Sequence, residues 1–257
     1  MRNQMKNQNM KSMPPQLYKA VATNNIDLLR QLSTDRDLEI SLFVQRIPRG
    51  DTLLHIAASL GYDQHVQEIL STSANTSSSN VLLIRETNND RETALHLALK
   101  NRHKGIARML FEKDPKVTHY VNREGKSPLY MAVEAGYMEI FKAMMEDQDG
   151  NNPDDLMKQK VVHVCIDGKN GGILDILLLK KWISAVTSVD ERGKNSLSYA
   201  ALVGYTEGVR RILIEFGEYS YVADENGFFP IHMASSKGHI DIIRVSAALS
   251  RFKRAEQ

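Results

Sequence analysis

Residues 50–70 read GDTLLHIAASLGYDQHVQEIL, from Gly50 to Leu70. Thr52 stands where a side chain can cap a helix by accepting a backbone N–H bond. Leu54 and Ala57 lie three apart and share a helical face, and Ala58 lets a neighbouring helix come close. Gly61 suits the left-handed position that ends a short helix. Val66, Ile69 and Leu70 then form the i, i+3, i+4 stripe of a second helix. Two helices of about eight residues cannot bury such faces by themselves. They need copies of themselves alongside.

The copies are present. The apolar position of Leu54 recurs at Leu95, Leu129, Val162, Leu197 and Ile231, with Leu17 before it, in steps of 37, 41, 34, 33, 35 and 34 residues. The next residue is His55, His96, His163 or His232, and Tyr18, Tyr130 or Ser198 in the other copies. Three positions beyond the apolar residue stand Ala20, Ala57, Ala98, Ala132, Cys165, Ala200 and Ala234. A period near 33 with a T-P-L-H-x-A opening is similar to the ankyrin repeat. The resemblance implies an all-α solenoid of about seven helix–turn–helix units with finger-like connecting turns. Asn122–Gly125, Asp190–Gly193 and Asp224–Gly227 supply those turns, with Asp or Asn first and Gly fourth as type I turns favour. Asn88-Asn-Asp-Arg91 breaks that pattern, and Arg102 and Lys169 stand where other copies have the helix-ending glycine.

Taken in order, residues 1–15 read as a disordered tail, rich in Asn and Gln and closed by Pro14-Pro15. Residues 16–250 read as the array. Within it, residues 71–90 read as an inserted Ser/Thr/Asn-rich loop and connector, and the repeat near 156–180 is degenerate. Residues 251–257 form a short basic tail. An array that stops without a polar cap is expected to leave apolar surface at Ile240, Ile242 and Ile243.

Little points to chemistry. A formal charge of +2 and a pI near 8.5 are too mild to argue for nucleic acid. One cysteine, Cys165, excludes an internal disulfide and fits a reducing compartment. No run approaches the roughly 18 apolar residues of a spanning helix, and no apolar segment near Met1 suggests a secretory signal. The expectation is therefore a cytoplasmic chain without a transmembrane segment. The four motif histidines stand one or two repeats apart, too far to share an ion, and in ankyrin folds this histidine braces the helix start. Gly125-Lys126, Gly168-Lys169 and Gly193-Lys194 lack the earlier glycine of a phosphate loop, having Tyr120, His163 and Ser188 in its place. Cys165 replaces an alanine and reads as a small core residue. No catalytic, metal or cofactor site is expected, and the chain does not read as an enzyme.

The segments LYKAVATNN, DTLLHIAASLGY, ETALHLALKNRHKGIARMLFEKDP, GKSPLYMAVEAGY and ENGFFPIHMASSKGHIDII resemble the ankyrin array of plant membrane proteins of the accelerated-cell-death type. The likeness covers roughly residues 16–245, without the membrane domain that follows the array in that family. It implies a cytosolic array associated with defence, salicylic-acid and salt-stress signalling. The function expected is a scaffold that binds a protein partner of unknown identity, with no nucleic acid and no small-molecule substrate. The alternative is a truncated regulatory fragment that pairs with full-length ankyrin membrane proteins at the cytoplasmic face of the plasma membrane. By position in the repeat, the concave face and fingers would offer Asp51, Ser59, Leu60, Glu92, Lys100, Asn101, Lys126, Glu134, Lys194, Leu202, Phe228 and Lys237 to a partner. Phe228, an aromatic on a finger, is the expected anchor.

Overall fold

The structure is a computed structural model that describes residues 12–34, 43, 45–72, 77–146, 155–179, 182, 185–186, 189 and 194–255. Fifteen helices are formed among the described residues, and no strand longer than a single bridge. They fall into two compact units that divide between Met131 and Ala132.

The first unit holds α1 (Pro15–Ala22), α2 (Ile26–Thr34), α3 (Leu53–Leu60), α4 (Asp63–Thr72), α5 (Ser77–Arg85), α6 (Ala94–Lys100) and α7 (Lys104–Lys113), with a 3₁₀ turn at Pro115–His119. First helices stack on first helices, α1 on α3 and α3 on α6, while α2, α4 and α7 form the second layer. The seams are filled as the periodicity requires: Leu17, Ala20, Leu54, Ala57, Ala58, Leu95 and Ala98 are all buried. The turn glycine logic also holds. Gly61 ends α3 at φ +79, and Asn24 and Arg102 take the same left-handed conformation at φ +53 and +67 without being glycine.

α8 (Pro128–Glu134) is the helix in which the units divide. The second unit continues with α9 (Met138–Glu146), α10 (Asp155–Asp167), α11 (Gly171–Leu179), α12 (Ser196–Leu202), α13 (Thr206–Glu215), α14 (Pro230–Ser236) and α15 (Ile240–Ala255), plus a 3₁₀ turn at Gly217–Tyr221. Here α10, α12 and α14 stack in series, and α11, α13 and α15 lie behind them. Asn195 caps α12 by accepting the Ser198 N–H at 2.8 Å, and Asn170 caps α11 by accepting the Ile173 N–H at 3.2 Å. An apolar cavity of about 270 Å³ remains in the last seam, lined in part by Leu197, Leu213, Tyr221, Ile231 and Ile242.

Three segments differ from the sequence reading. Residues 77–85, read as inserted loop, are helix α5. Leu83 and Ile84 are buried, and Arg85 grips the buried Asp114 carboxylate with two bonds of 2.5 and 2.9 Å. The end of the supposed N-terminal tail is also placed: Met13 is buried and donates its N–H to the Arg46 carbonyl, and α1 already begins at Pro15. At the other end α15 runs through Ala255, into the segment read as tail. Residues 1–11 and the connector 190–193 lie outside the described residues.

The degenerate copy is a helix pair with a longer first member. α10 has 13 residues where α3, α6 and α12 have seven or eight. Cys165 is buried within it, donates weakly to the Asn170 carbonyl, and has its thiol pushed up to about 12 by burial. It is an inert core residue.

Candidate functional site

Three of the motif histidines build joints at helix starts. Thr52 and His55 form a capping box: the Thr52 N–H donates to His55 Nδ1 at 3.3 Å, and the Thr52 hydroxyl lies 2.7 Å from the same nitrogen. An Nδ1 that accepts leaves the proton on Nε2, which donates across the seam to the Glu92 carbonyl at 2.9 Å. His96 repeats the arrangement with Thr93 and with the Lys126 carbonyl, 3.2 Å away. Burial holds both imidazoles neutral, with pKa lowered to about 4. His232 accepts the Phe229 N–H at 3.0 Å in the same manner.

His163 does not brace a helix start. α10 begins eight residues before it, so no free N-terminal N–H is within reach. Its ring instead stacks on Tyr199, with centroids 4.5 Å apart and planes at 15°.

The fingers are Asx turns. Asn122 Oδ1 accepts from the Glu124 and Lys126 N–H groups, and Asp224 Oδ1 from those of Asn226 and Phe228. Asn88 does the same for Asp90 and Glu92, with Arg91 at φ +59 where the other turns have glycine. Adjacent fingers are bonded to one another, Asn89 N–H to the Arg49 carbonyl and Arg123 N–H to that of Asp90.

That packing corrects two of the expected contact residues. Asp51 is 7% exposed, because Asn88 of the next finger donates to its carboxylate at 2.8 Å. Glu92 is 2% exposed and paired with Lys100 at 3.0 Å. Neither is an exposed contact residue. In the first unit the exposed or half-buried remainder is Ser59, Leu60, Lys100, Asn101 and Lys126. Asn101 donates to the Ser59 hydroxyl at 3.1 Å, tying two first helices at their ends, and Lys126 lies over the Tyr130 ring. In the second unit Glu134, Phe228 and Lys237 are exposed, and Lys194 and Leu202 half-buried. Phe228 and Phe229 both flank the His232 ring, at 6.1 and 5.5 Å.

The last repeat corrects a third reading. Ile240 is exposed and Ile243 half-buried, but Ile242 is buried against the previous repeat. Ile231, which the periodicity assigns to the core, is 38% exposed. No group of His, Cys, Asp or Glu suited to a metal occurs among the described residues, and none of the described helices is long and apolar enough to cross a membrane.

Comparison with known proteins agrees with this architecture. The profile of the family described as Ankyrin repeats (3 copies) matches residues 17–121 and 80–155. The Arabidopsis thaliana protein ACCELERATED CELL DEATH 6 is 32% identical over 76% of this chain, which spans 32% of that protein's length. A Caenorhabditis elegans homolog of transient receptor potential cation channel subfamily A member 1 is 26% identical over 79% of this chain, which spans 16% of it. In three dimensions the ankyrin repeat domain of Bcl-3 superposes with a TM-score of 0.71 at 19% identity, covering 91% of this chain and all of that domain. Helix pairs at the ankyrin period, Asx-turn fingers and Thr–His caps occur together with that profile match: the chain belongs to the ankyrin-repeat family.

Proposed function

We propose that the chain is a non-catalytic, cytoplasmic scaffold. It holds a protein partner with the ends of its first helices and with its finger turns, and it serves plant defence or stress signalling. One observation carries the reading. Leu60 stays 44% exposed at the end of a motif whose Leu54, His55 and Ala57 are fully buried, and Phe228 stays 48% exposed on its finger. Large apolar side chains left out of an otherwise closed motif are what a partner's surface would cover. Asn101, bonded to the Ser59 hydroxyl beside Leu60, adds a polar group that would set specificity. The signalling context is drawn from the plant relative.

The test is affinity capture with the tagged full chain from membrane and soluble plant extracts, beside a Leu60→Ser/Lys194→Ala variant of unchanged circular dichroism. A specific protein lost at least tenfold with the variant is expected. Equal capture by both forms overturns this face as the contact surface. A second reading, favoured by the exposed apolar residues of the last repeat, has the chain pair with full-length ankyrin membrane proteins at the cytoplasmic face of the plasma membrane.

A further inference from the structure

We propose that His163, Asp167 and Tyr199 form a clamp for an arginine side chain of the protein partner. This rests on the reading of the chain as a protein-binding module and names the chemistry of one contact.

The register brings the first member in. The fifth residue after the apolar motif position is Ser59, Lys100, Glu134 or Leu202, each assigned above to the contact surface. The same count from Val162 in the degenerate repeat gives Asp167, the last residue of α10, and it is exposed. Among the described residues, the one bond its carboxylate receives comes from Tyr199, whose hydroxyl donates to Oδ1 at 2.7 Å.

Tyr199 is a departure from its row. Two residues past the apolar position the other copies carry Lys19, Ile56, Leu97, Met131, Val164 and Met233. A half-buried aromatic there needs a neighbour against its face. α10, packed on α12 as the preceding first helix, supplies one. His55 and His96 bond the first N–H groups of their helices, but His163 sits in mid-helix, and its ring lies against Tyr199 at 4.5 Å and 15°. Two departures from the motif, one in each repeat, thus meet beside the exposed carboxylate. Neither explains itself as packing alone, since the aliphatic residues of the other copies fill the same row.

The group that fits an aromatic stack with a carboxylate at its edge is a guanidinium. It is planar and always charged, so it can pair with Asp167 and lie over a ring in one pose. The Tyr199 hydroxyl holds Oδ1 and thereby orients the carboxylate before a partner arrives, leaving Oδ2 to accept. An ammonium would gain the charge pairing without the planar stacking. An acidic side chain would be repelled.

The probe is N-acetylarginine methylamide, titrated at low salt into the ¹⁵N-labelled full chain and followed by amide shifts. Saturable shifts at Asp167 and Tyr199 are expected, with the lysine analogue at least fivefold weaker and the neutral citrulline analogue without saturation. Asp167→Asn, an exposed isosteric change, should weaken the arginine probe at least tenfold. Tyr199→Phe, which keeps the ring and frees the carboxylate, should weaken it about threefold. Absence of saturable shifts overturns the clamp, as does equal binding of the lysine or citrulline analogue, or binding indifferent to Asp167→Asn. Capture from plant extract is read beside it. A partner lost with Leu60→Ser/Lys194→Ala while the arginine probe fails to bind overturns the clamp and leaves the surface reading standing. Arginine binding lost in Asp167→Asn, with capture equal in both forms, supports the clamp and overturns the helix-end and finger surface.

Discussion

His55 and His232 occupy one place in two copies of a motif and make the same bond to the backbone N–H three residues before them. The first is fully buried and reaches a carbonyl in the next repeat; the second is exposed. Local sequence is equivalent, so the difference comes from the neighbour. A repeat carries half of each joint, and the burial of the histidine is a property of the completed joint.

The largest way to break the comparison is to titrate the buried pair. In the unfolded chain His55 and His96 take up protons as pH falls below about 6.5; in the folded chain they remain neutral until about 4. Their contribution is therefore complete above pH 6.5 and is lost as pH falls from there to 4. Urea unfolding of the first unit at pH 7 and pH 5 should differ by about 2 kcal/mol for each histidine. A His55→Gln/His96→Gln variant should show much less of this slope, and an unchanged slope would assign the effect elsewhere.

Next in size is truncation at the two equivalent places. His55→Ala removes both bonds and leaves the Glu92 carbonyl without its donor, which should cost about 3 kcal/mol. His232→Ala should change stability by less than about 0.5 kcal/mol in the isolated chain. Similar losses at both positions, read by denaturant midpoints, would mean that the capping bond alone carries the histidine's contribution.

The smallest effect sharpens a different half of the same joint. Arg102 holds the left-handed conformation at φ +67 that Gly61 holds at +79. Arg102→Gly should release strain of about 1 kcal/mol, partly offset by the greater freedom of glycine in the unfolded chain. Thermal melting should show a modest rise, and a fall would locate a contact of the Arg102 side chain that outweighs the strain.

These joints explain what could be read in advance. The apolar period from Leu17 to Ile231 falls on the first helices of all seven pairs, because that face has one partner geometry wherever it occurs. Arg91, Arg102 and Lys169 keep the turn conformation of the glycines they replace, so the period survives their substitution. The polar loop of residues 77–80 concealed a helix whose hold is tertiary, through Leu83, Ile84 and the distant Asp114. His163 matched the motif by position, yet α10 starts too early for it to brace a helix start. Asp51 and Glu92 looked exposed because their burial is decided by Asn88 and Lys100, one from the next finger and one from the following helix. The open state of His232 could not be read locally for the same reason.

The donor of each completed joint lies on the trailing side of one helix pair and its carbonyl acceptor on the leading side of the next. A recombination that removes or duplicates one whole period between such joints leaves a donor facing an acceptor on both sides of the scar. The same event cut through α10 would not, because its imidazole stacks on Tyr199 and does not brace a helix start. The gene can therefore lengthen or shorten the array around Thr52 and Thr93 without inventing new contacts, while the period around α10 must be inherited intact.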